Sequence, residues 1–575
     1  MGLHNRLLSM ICLAGLLLGI TGFSAGSTSA ASFPPLKSSV GMVLSSHPIA
    51  NNIGMQVLKD GANAVDAAVA VGYALAVVLP AAGNLGGGGF ALIHMAKGDT
   101  VALDFREVAP ANASRDMYLN DKGEVVPNAS TEGFLAAGVP GTVAGMSAML
   151  ERYGTRSLAQ LIAPSIEYAE SGYVVGPGQA ESFAANAKRF RSYPSASKYF
   201  LKPDGTHYRE DEIFAQKDLA KTLRLIAANG AAAFYEGPIA DMISADMAAK
   251  GGLITKSDLA KYAPVWRDPV WGTYRGYEVV SMCPPSSGGI HIVQILNILE
   301  GYDLESMGFS SSSAVHVMAE AMRHAYADRS EFLGDPDFVK VPTAGLTSKN
   351  YAAEIRSKIS LERATPSSEV KPGAPWQHEG TNTTHYSIVD RYGNAVAVTY
   401  TINGSYGCGE AIEGAGFLMN NEMDDFSIKP GVPNLYGLVG GDANAIEPYK
   451  RPLSSMSPSM VFGDGRLFMV LGSPGGARII TTVLQVILNV IDHTMDIREA
   501  VDAPRIHMQW VPDEIRIEKR GLSKDVESKL TAMGHNVVVR APMGDVNAIL
   551  VDPATGILYG AGDSRNRDMV PSFSY

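Results

Sequence analysis

Two apolar alternations, Tyr386-Ser-Ile-Val-Asp390 and Asn394-Ala-Val-Ala-Val-Thr-Tyr-Thr401, flank the three residues Arg391-Tyr392-Gly393. Side chains on a strand point alternately to opposite faces, so this pattern reads as a β-hairpin with at least one buried face. A three-residue loop ending in glycine suits a type I turn followed by a left-handed residue. If Asp390 pairs with Asn394, Thr383 lies opposite Thr401 on one face, and Asn403 follows two residues on. Opposed Cβ atoms sit roughly 4.5–5.5 Å apart, within reach of a hydroxyl–hydroxyl hydrogen bond. A bulge would shift that register by one residue.

The hairpin therefore puts a threonine hydroxyl at a strand start with a second hydroxyl against it. Threonine becomes a useful nucleophile when a base lies beside it. A free α-amine is such a base, with a pKa of about 7.7–8.0. Creating it requires a cut of the Asn382–Thr383 peptide. Residues 360–382 hold few apolar side chains and several Pro, Ser and Gly. They read as an exposed, mobile connector that would give such a cut access.

The rest of the chain narrows the class. Its 575 residues exceed one small domain, so two domains or one large layered domain are expected. A 46% hydrophobic content supplies a core, and a formal charge of −11 without a Lys/Arg cluster argues against nucleic-acid binding. Arg6, the apolar run Leu7 to Ile20, and the small residues Thr28-Ser29-Ala30-Ala31 read as a signal peptide over residues 1–31. Export to a periplasm or beyond is expected, with no stable membrane span once it is removed. Beyond that segment only Cys283 and Cys408 remain, expected as two separate buried thiols. There is no CxxC and no HExxH, and the histidines lack a metal-ligand spacing, so neither metal nor cofactor is expected.

Residues 51–79 contain Ala/Val-rich sequence interrupted by Lys59, Asp60 and Asp66, which reads as a buried helix. Asn84-Leu-Gly-Gly-Gly-Gly-Phe90 lacks the Gly-Lys-Ser/Thr of a phosphate loop and reads as a glycine-lined strand turn. Residues 140–260 and 311–330 look mostly helical. Gly463-Asp-Gly465 and Asp552-Pro-Ala-Thr-Gly556 each join two apolar runs as hairpin turns do, and Ile479 to Ile491 reads as a helix on a sheet. Helices with antiparallel strands, without a βαβ rhythm, are the expected class.

Thr383-Thr-His-Tyr-Ser387 with Gly393 to Thr401 resembles the γ-glutamyltransferases. So do Asn84 to Phe90, Asp104-Phe-Arg-Glu107, Pro284-Pro-Ser-Ser-Gly-Gly289, Pro452-Leu-Ser-Ser-Met456 and Gly472-Ser-Pro-Gly-Gly476. The resemblance runs from about residue 38 to the C-terminus and is strongest to bacterial, periplasmic members. It implies an α+β, four-layer αββα sandwich of the N-terminal nucleophile hydrolase type. It further implies a precursor that cuts itself before Thr383 into a large subunit, residues 32–382, and a small subunit, residues 383–575, which stay together as a heterodimer. The implied activity is γ-glutamyl transfer from glutathione and similar compounds to water, amino acids or dipeptides, without a cofactor.

By that resemblance Thr383 is the nucleophile and Thr401 orients it. Gly475 and Gly476 form the oxyanion hole. Arg106, Ser454 and Ser455 hold the substrate α-carboxylate, while Asn403, Glu422 and Asp425 hold its α-ammonium. Gly431 to Asn444 resembles a lid loop with Tyr436 over the bound group. Three alternatives stand beside this reading. One is a cephalosporin or glutaryl acylase of the same family, which need not hold an α-ammonium. Another is a processed but idle amino-acid-binding protein. The third is a serine hydrolase using His385 or Ser387, which lack a GxSxG elbow.

Overall fold

The computed structural model describes residues 33–373 and 384–568. The strands Thr384–Asp390 and Ala395–Thr401 pair antiparallel, with Thr384 opposite Tyr400 and Val389 opposite Ala395. Asp390 N–H donates to the Asn394 carbonyl at 3.0 Å, and Gly393 turns the chain at φ +84°. This is the register read from the sequence. Its next pair, Thr383 with Thr401, includes a residue outside the described ones.

Alternation along this hairpin sorts its side chains into two layers. Tyr386, Ile388, Val396, Val398 and Tyr400 pack in a cluster that contains the helix Ala64–Val78. Val389, Ala395 and Ala397 pack instead with Met460, Val470 and Ile549. Those three residues belong to a second sheet, so the hairpin lies between a helical layer and another sheet.

The hairpin's own sheet has six strands, in the order Gly41–Ser45, Thr384–Asp390, Ala395–Thr401, Gly88–His94, Thr100–Phe105, Val265–Arg267. The facing sheet has seven: Leu36–Ser38, Leu558–Gly562, Asn547–Val551, Arg466–Gly472, Ser459–Gly463, Tyr277–Ser281, Val270–Tyr274. Neighbours in both sheets are antiparallel. The seven-stranded sheet buries its outer face, through Val461, Met469 and Leu471, on helices Gly288–Leu299, Ser312–Phe332 and Arg478–Ile491. Three hydrophobic layers thus make a four-layer αββα sandwich. The turns at Gly463 to Gly465 and Asp552 to Gly556 both join antiparallel strands, as expected.

One local expectation needs correction, and another is met only in part. Residues 51–79 form two helices, Pro48–Lys59 and Ala64–Val78, rather than one. Asp66 is a capping residue here. The Asn63 side chain accepts from Asp66 N–H at 3.0 Å, and the Asp66 carboxylate accepts from Asn63 N–H at 3.0 Å. Residues 360–373 are largely exposed, as expected of a connector, but they are tied down at several points. Ser367 and Val370 are buried, Trp510 Nε1 donates to the carbonyls of both, and Gly373 N–H donates to Asp328 at 2.7 Å. Half of the segment is exposed as its polar composition predicts, while these backbone groups are satisfied by the protein itself. The remainder of that segment, residues 374–382, lies outside the described residues. Cys283 and Cys408 are separate, free and buried.

Candidate active site

The face that Thr401 shares with Thr399 and Ala397 looks toward the seven-stranded sheet. Thr401 Oγ1 accepts from Asn403 N–H at 2.7 Å, which folds the chain sharply as the strand ends. Asn403 sits at φ +67°, a left-handed conformation that asparagine tolerates better than most residues. The Thr401 carbonyl accepts from Asn84 Nδ2 at 2.8 Å. Asn84 opens the glycine run, and that run explains itself here. A Cβ on Gly87 would lie 1.9 Å from the Thr401 carbonyl oxygen, and one on Gly89 2.5 Å from the Thr399 carbonyl oxygen. The glycines let this backbone close on the hairpin, as a glycine-lined strand turn should.

Arg106 follows the strand Thr100–Phe105 and is fully buried. Its Nη2 donates to Asp425 Oδ2 at 2.5 Å and to the Leu453 carbonyl at 2.9 Å. Its Nε donates to the Pro452 carbonyl at 3.1 Å, and its Nη1 pairs with Glu422. The family motifs imply Arg106 on one substrate charge and Glu422 with Asp425 on the other. In this structure they are bonded to one another. A buried guanidinium without a carboxylate would be costly, so the opposite charges pair with one another. Ser454 and Ser455 are buried directly after Leu453. Ser454 N–H donates to the Pro285 carbonyl, and its carbonyl accepts from Ser287 N–H at 2.8 Å.

Glu107 belongs to this cluster and was not singled out from the sequence. Its Oε2 lies 3.7 Å from Arg106 Nη1. Its signal was adjacency to Arg106 in Asp104-Phe-Arg-Glu107. Asn403 Oδ1 is buried with no hydrogen-bond donor among the described residues, and the Glu107 and Glu422 carboxyls hydrogen-bond each other through a retained proton. Burial pushes the Glu107 and Glu422 carboxyls upward, the Arg106 charge opposes it, and the neighbouring carboxylates add to it. The site therefore sets the buried Arg106 guanidinium against the three carboxyls of Glu107, Glu422 and Asp425.

The other half of the site comes from the seven-stranded sheet. Its strand Arg466–Gly472 ends just before Gly475 and Gly476, at φ +138° and +71°, and the helix Arg478–Ile491 begins two residues later. That places backbone N–H groups near a helix N-terminus, where the dipole favours negative charge. Tyr436 closes the arrangement. Its Oη donates to the Asn403 carbonyl at 3.0 Å, and with Leu435 it lines a cavity of about 180 Å³ shared with Gly475, Arg478 and Gln509. The loop is anchored by Asp424, a residue that none of the motifs marks. Asp424 accepts from Leu435 N–H at 2.9 Å and from Ser130 Oγ at 2.7 Å. Asn434 adds a contact to Asp425 at 3.4 Å.

Of the residues expected at a site, Arg106, Glu422 and Asp425 are in direct contact. Thr401, Asn403 and Tyr436 form a hydrogen-bonded chain, and Tyr436 and Gly475 share a cavity wall. Thr383 and Asn382 lie outside the described residues. His385 and Ser387 are 2.8 Å apart but fully buried between the sheets. Ser387 Oγ donates to the Asn547 carbonyl, His385 Nδ1 is 2.9 Å from Thr399 Oγ1, and burial lowers the His385 pKa to about 3. A buried pair already committed in this way is core, which sets the serine hydrolase reading aside.

Residues 50–572 match the Gamma-glutamyltranspeptidase family. The chain belongs to the γ-glutamyltranspeptidase family. Members of this family are acyl-transferring enzymes, and this chain is one. It is 53% identical over 536 residues to the glutathione hydrolase proenzyme of Escherichia coli (strain K12), covering 93% of this chain and 92% of that one. Among solved structures, cephalosporin acylase from Bacillus halodurans superposes with a TM-score of 0.84 at 29% identity, covering 94% of this chain and 97% of that chain. The Helicobacter pylori γ-glutamyltranspeptidase gives 0.58 at 55% identity, covering 60% of this chain and 98% of that one.

Proposed function

We propose that this γ-glutamyltranspeptidase family member cuts itself before Thr383 and then transfers the γ-glutamyl group of glutathione. The Thr383 hydroxyl attacks the Asn382 carbonyl, and water opens the resulting ester. The freed α-amine takes the hydroxyl proton in the later reaction. Residues 32–382 and 383–575 remain together as large and small subunits, after removal of residues 1–31 on export to the periplasm. The Helicobacter pylori chain that matches three-fifths of this one corresponds to the share of residues 32–382, which supports that division.

In turnover, Thr383 attacks the γ-amide carbonyl while the Gly475 and Gly476 N–H groups stabilise the oxyanion. Cys-Gly leaves with a proton, and water or an amino acid or dipeptide amine takes the acyl group. Thr401 orients the Thr383 hydroxyl. The observation that carries the substrate assignment is the buried set around Arg106. An α-ammonium brings three N–H donors, which the Glu107 and Glu422 carboxyls can accept once they give up their shared proton, and Asn403 Oδ1 is a further buried acceptor. An α-carboxylate can in turn take over Arg106, with Ser454 and Ser455 beside it, so the internal ion pairs exchange for ligand ion pairs.

Intact mass under denaturing conditions tests the first step. The expected result is two fragments, one starting at Thr383, and an uncut Thr383→Ala variant. A single uncut wild-type chain would remove the nucleophile assignment. The acylase reading has the similarity to cephalosporin acylase in its favour. Comparing γ-glutamyl-anilide with glutaryl-anilide turnover separates the two, because the glutaryl group lacks the α-ammonium. Preference for the glutaryl compound would reverse the assignment.

A further inference from the structure

The sequence offers no metal-ligand spacing, yet the fold brings together His316, Glu320 and His535 in a buried cluster whose ligand atoms lie within 4.8 Å of one another. We propose that these three side chains form a structural site for a divalent transition-metal ion of the Zn²⁺ class, distant in the chain from every residue of the catalytic assembly.

His316 and Glu320 stand four residues apart on the helix Ser312–Phe332, so they share one face. His535 comes from the turn after the helix Lys524–Ala532. All three are at most 4% exposed. His316 Nε2 lies 2.6 Å from the Ser360 carbonyl, which can only accept, so Nε2 carries the proton. In the neutral ring Nδ1 is then a lone pair, and it faces His535 Nε2 at 2.7 Å. His535 Nε2–H fills that lone pair, which leaves His535 Nδ1 buried and without a partner among the described residues. Glu320 Oε1 accepts from Arg323 Nε at 3.2 Å and Thr365 N–H at 3.3 Å, whereas Glu320 Oε2 is buried with no donor among the described residues.

This pattern fits a cation better than it fits a closed polar core. A buried orphan carboxylate oxygen costs free energy, and a metal ion removes that cost. His316 already has the outer hydrogen bond that metal-bound imidazoles nearly always make, from the non-ligating nitrogen to a carbonyl. The nearest fixed cation, Arg323, is balanced by Asp513, and Glu320 leaves a net negative charge for the ion. Two histidines and one carboxylate suit Zn²⁺, with a fourth position open to water. Tetrahedral bonds of about 2.0–2.1 Å place two ligand nitrogens roughly 3.3 Å apart. The rings need to part by about 0.6 Å from 2.7 Å. His535 would also carry its proton on Nδ1 instead of Nε2. His316 precedes Thr383 and His535 follows it, so on the cleavage reading above the ion would tie the two subunits. Binding itself does not depend on that reading.

The test uses the full exported protein without a histidine tag, dialysed against Zn²⁺ and then metal-free buffer, with bound zinc measured by mass spectrometry. Wild type is expected to retain one Zn²⁺ per chain pair, and His535→Gln and Glu320→Gln none, while both variants keep wild-type circular dichroism and γ-glutamyl-anilide turnover. No retained zinc in wild type, or full retention in both variants, would overturn the proposal. Titration of wild type with Co²⁺ covers the case of a variant that does not fold. A tetrahedral Co²⁺ absorption band displaced by one equivalent of Zn²⁺ is expected, and its absence would equally overturn the site.

Discussion

Replacing Gly87 by alanine probes whether the closeness of backbone around Thr401 matters to catalysis. The added Cβ would meet the Thr401 carbonyl oxygen at 1.9 Å and Asn84 Oδ1 at 2.7 Å, where ordinary contact begins at 3.4 Å. Something must therefore move by about 1.5 Å, the difference between 1.9 and 3.4 Å. Gly87 itself cannot easily retreat. Its carbonyl accepts from Gly141 N–H at 2.7 Å and Thr142 N–H at 3.0 Å, and its N–H donates to Asn84 at 2.9 Å. The yielding partner is the Thr401 carbonyl, which carries the Thr401 side chain with it. Overpacking of this kind costs about 1–3 kcal/mol of stability. A displacement of about 1 Å at a positioning group costs roughly 100-fold in rate, or about 2.7 kcal/mol of barrier. The assay is γ-glutamyl-anilide turnover, together with a denaturing gel for cleavage and a thermal melt. Gly98→Ala is the control, because its Cβ meets Met95 Cβ at 3.4 Å and the Met95 carbonyl oxygen at 3.9 Å, ordinary contacts in an exposed turn. If Gly87→Ala cleaves and turns over within roughly twofold of wild type, the argument that Thr401 must be held in place is wrong.

Arg106→Gln leaves Glu107, Glu422 and Asp425 without their common cation. Breaking such a buried set is expected to cost about 3–5 kcal/mol of stability and to lower kcat/KM by at least about 100-fold, read by melting and by steady-state kinetics. Tyr436→Phe removes the hydrogen bond to the Asn403 carbonyl. One such bond contributes about 1 kcal/mol, so a change of roughly fivefold in KM is expected, and an unchanged KM would mean that the contact does not latch the loop. Burial raises the Asp424 carboxyl from 3.8 to about 6. The folded state then holds its proton longer than the unfolded state, so this group's contribution to stability falls as pH rises from 3.8 to about 6. Asp424→Asn should flatten the melting temperature across that window, and a parallel pH profile in wild type and variant would contradict the assignment. Burial pushes both the Cys283 and Cys408 thiols up to about 12. Neither should react with a maleimide in the native protein, whereas both should after denaturation, and a non-reducing gel should show no linked subunits.

What was legible in the sequence was what neighbouring residues decide. The period-two alternation and Gly393 were enough for the hairpin and its register, because a slip by one residue would turn Tyr386 and Ile388 out of their hydrophobic layer. The glycine run was legible as a strand turn because a phosphate loop needs residues that are missing. The exposure of residues 360–373 is legible in composition, but their tethering is not, because composition cannot report that Trp510 and Asp328 bind their backbone from elsewhere in the chain. Arg106 and Glu422 were matched to opposite substrate charges by motif. That they bond to each other is a contact across 316 residues, which no local pattern encodes. Glu107, Asp424 and the His316–Glu320–His535 group depend on the same kind of information. Periodicity and turn chemistry act over a few residues and so determined the strands, the helices and the family motifs. Charge pairing, burial and stranded lone pairs arise only when segments hundreds of residues apart are packed into one water-free interior, and only the tertiary structure decided them.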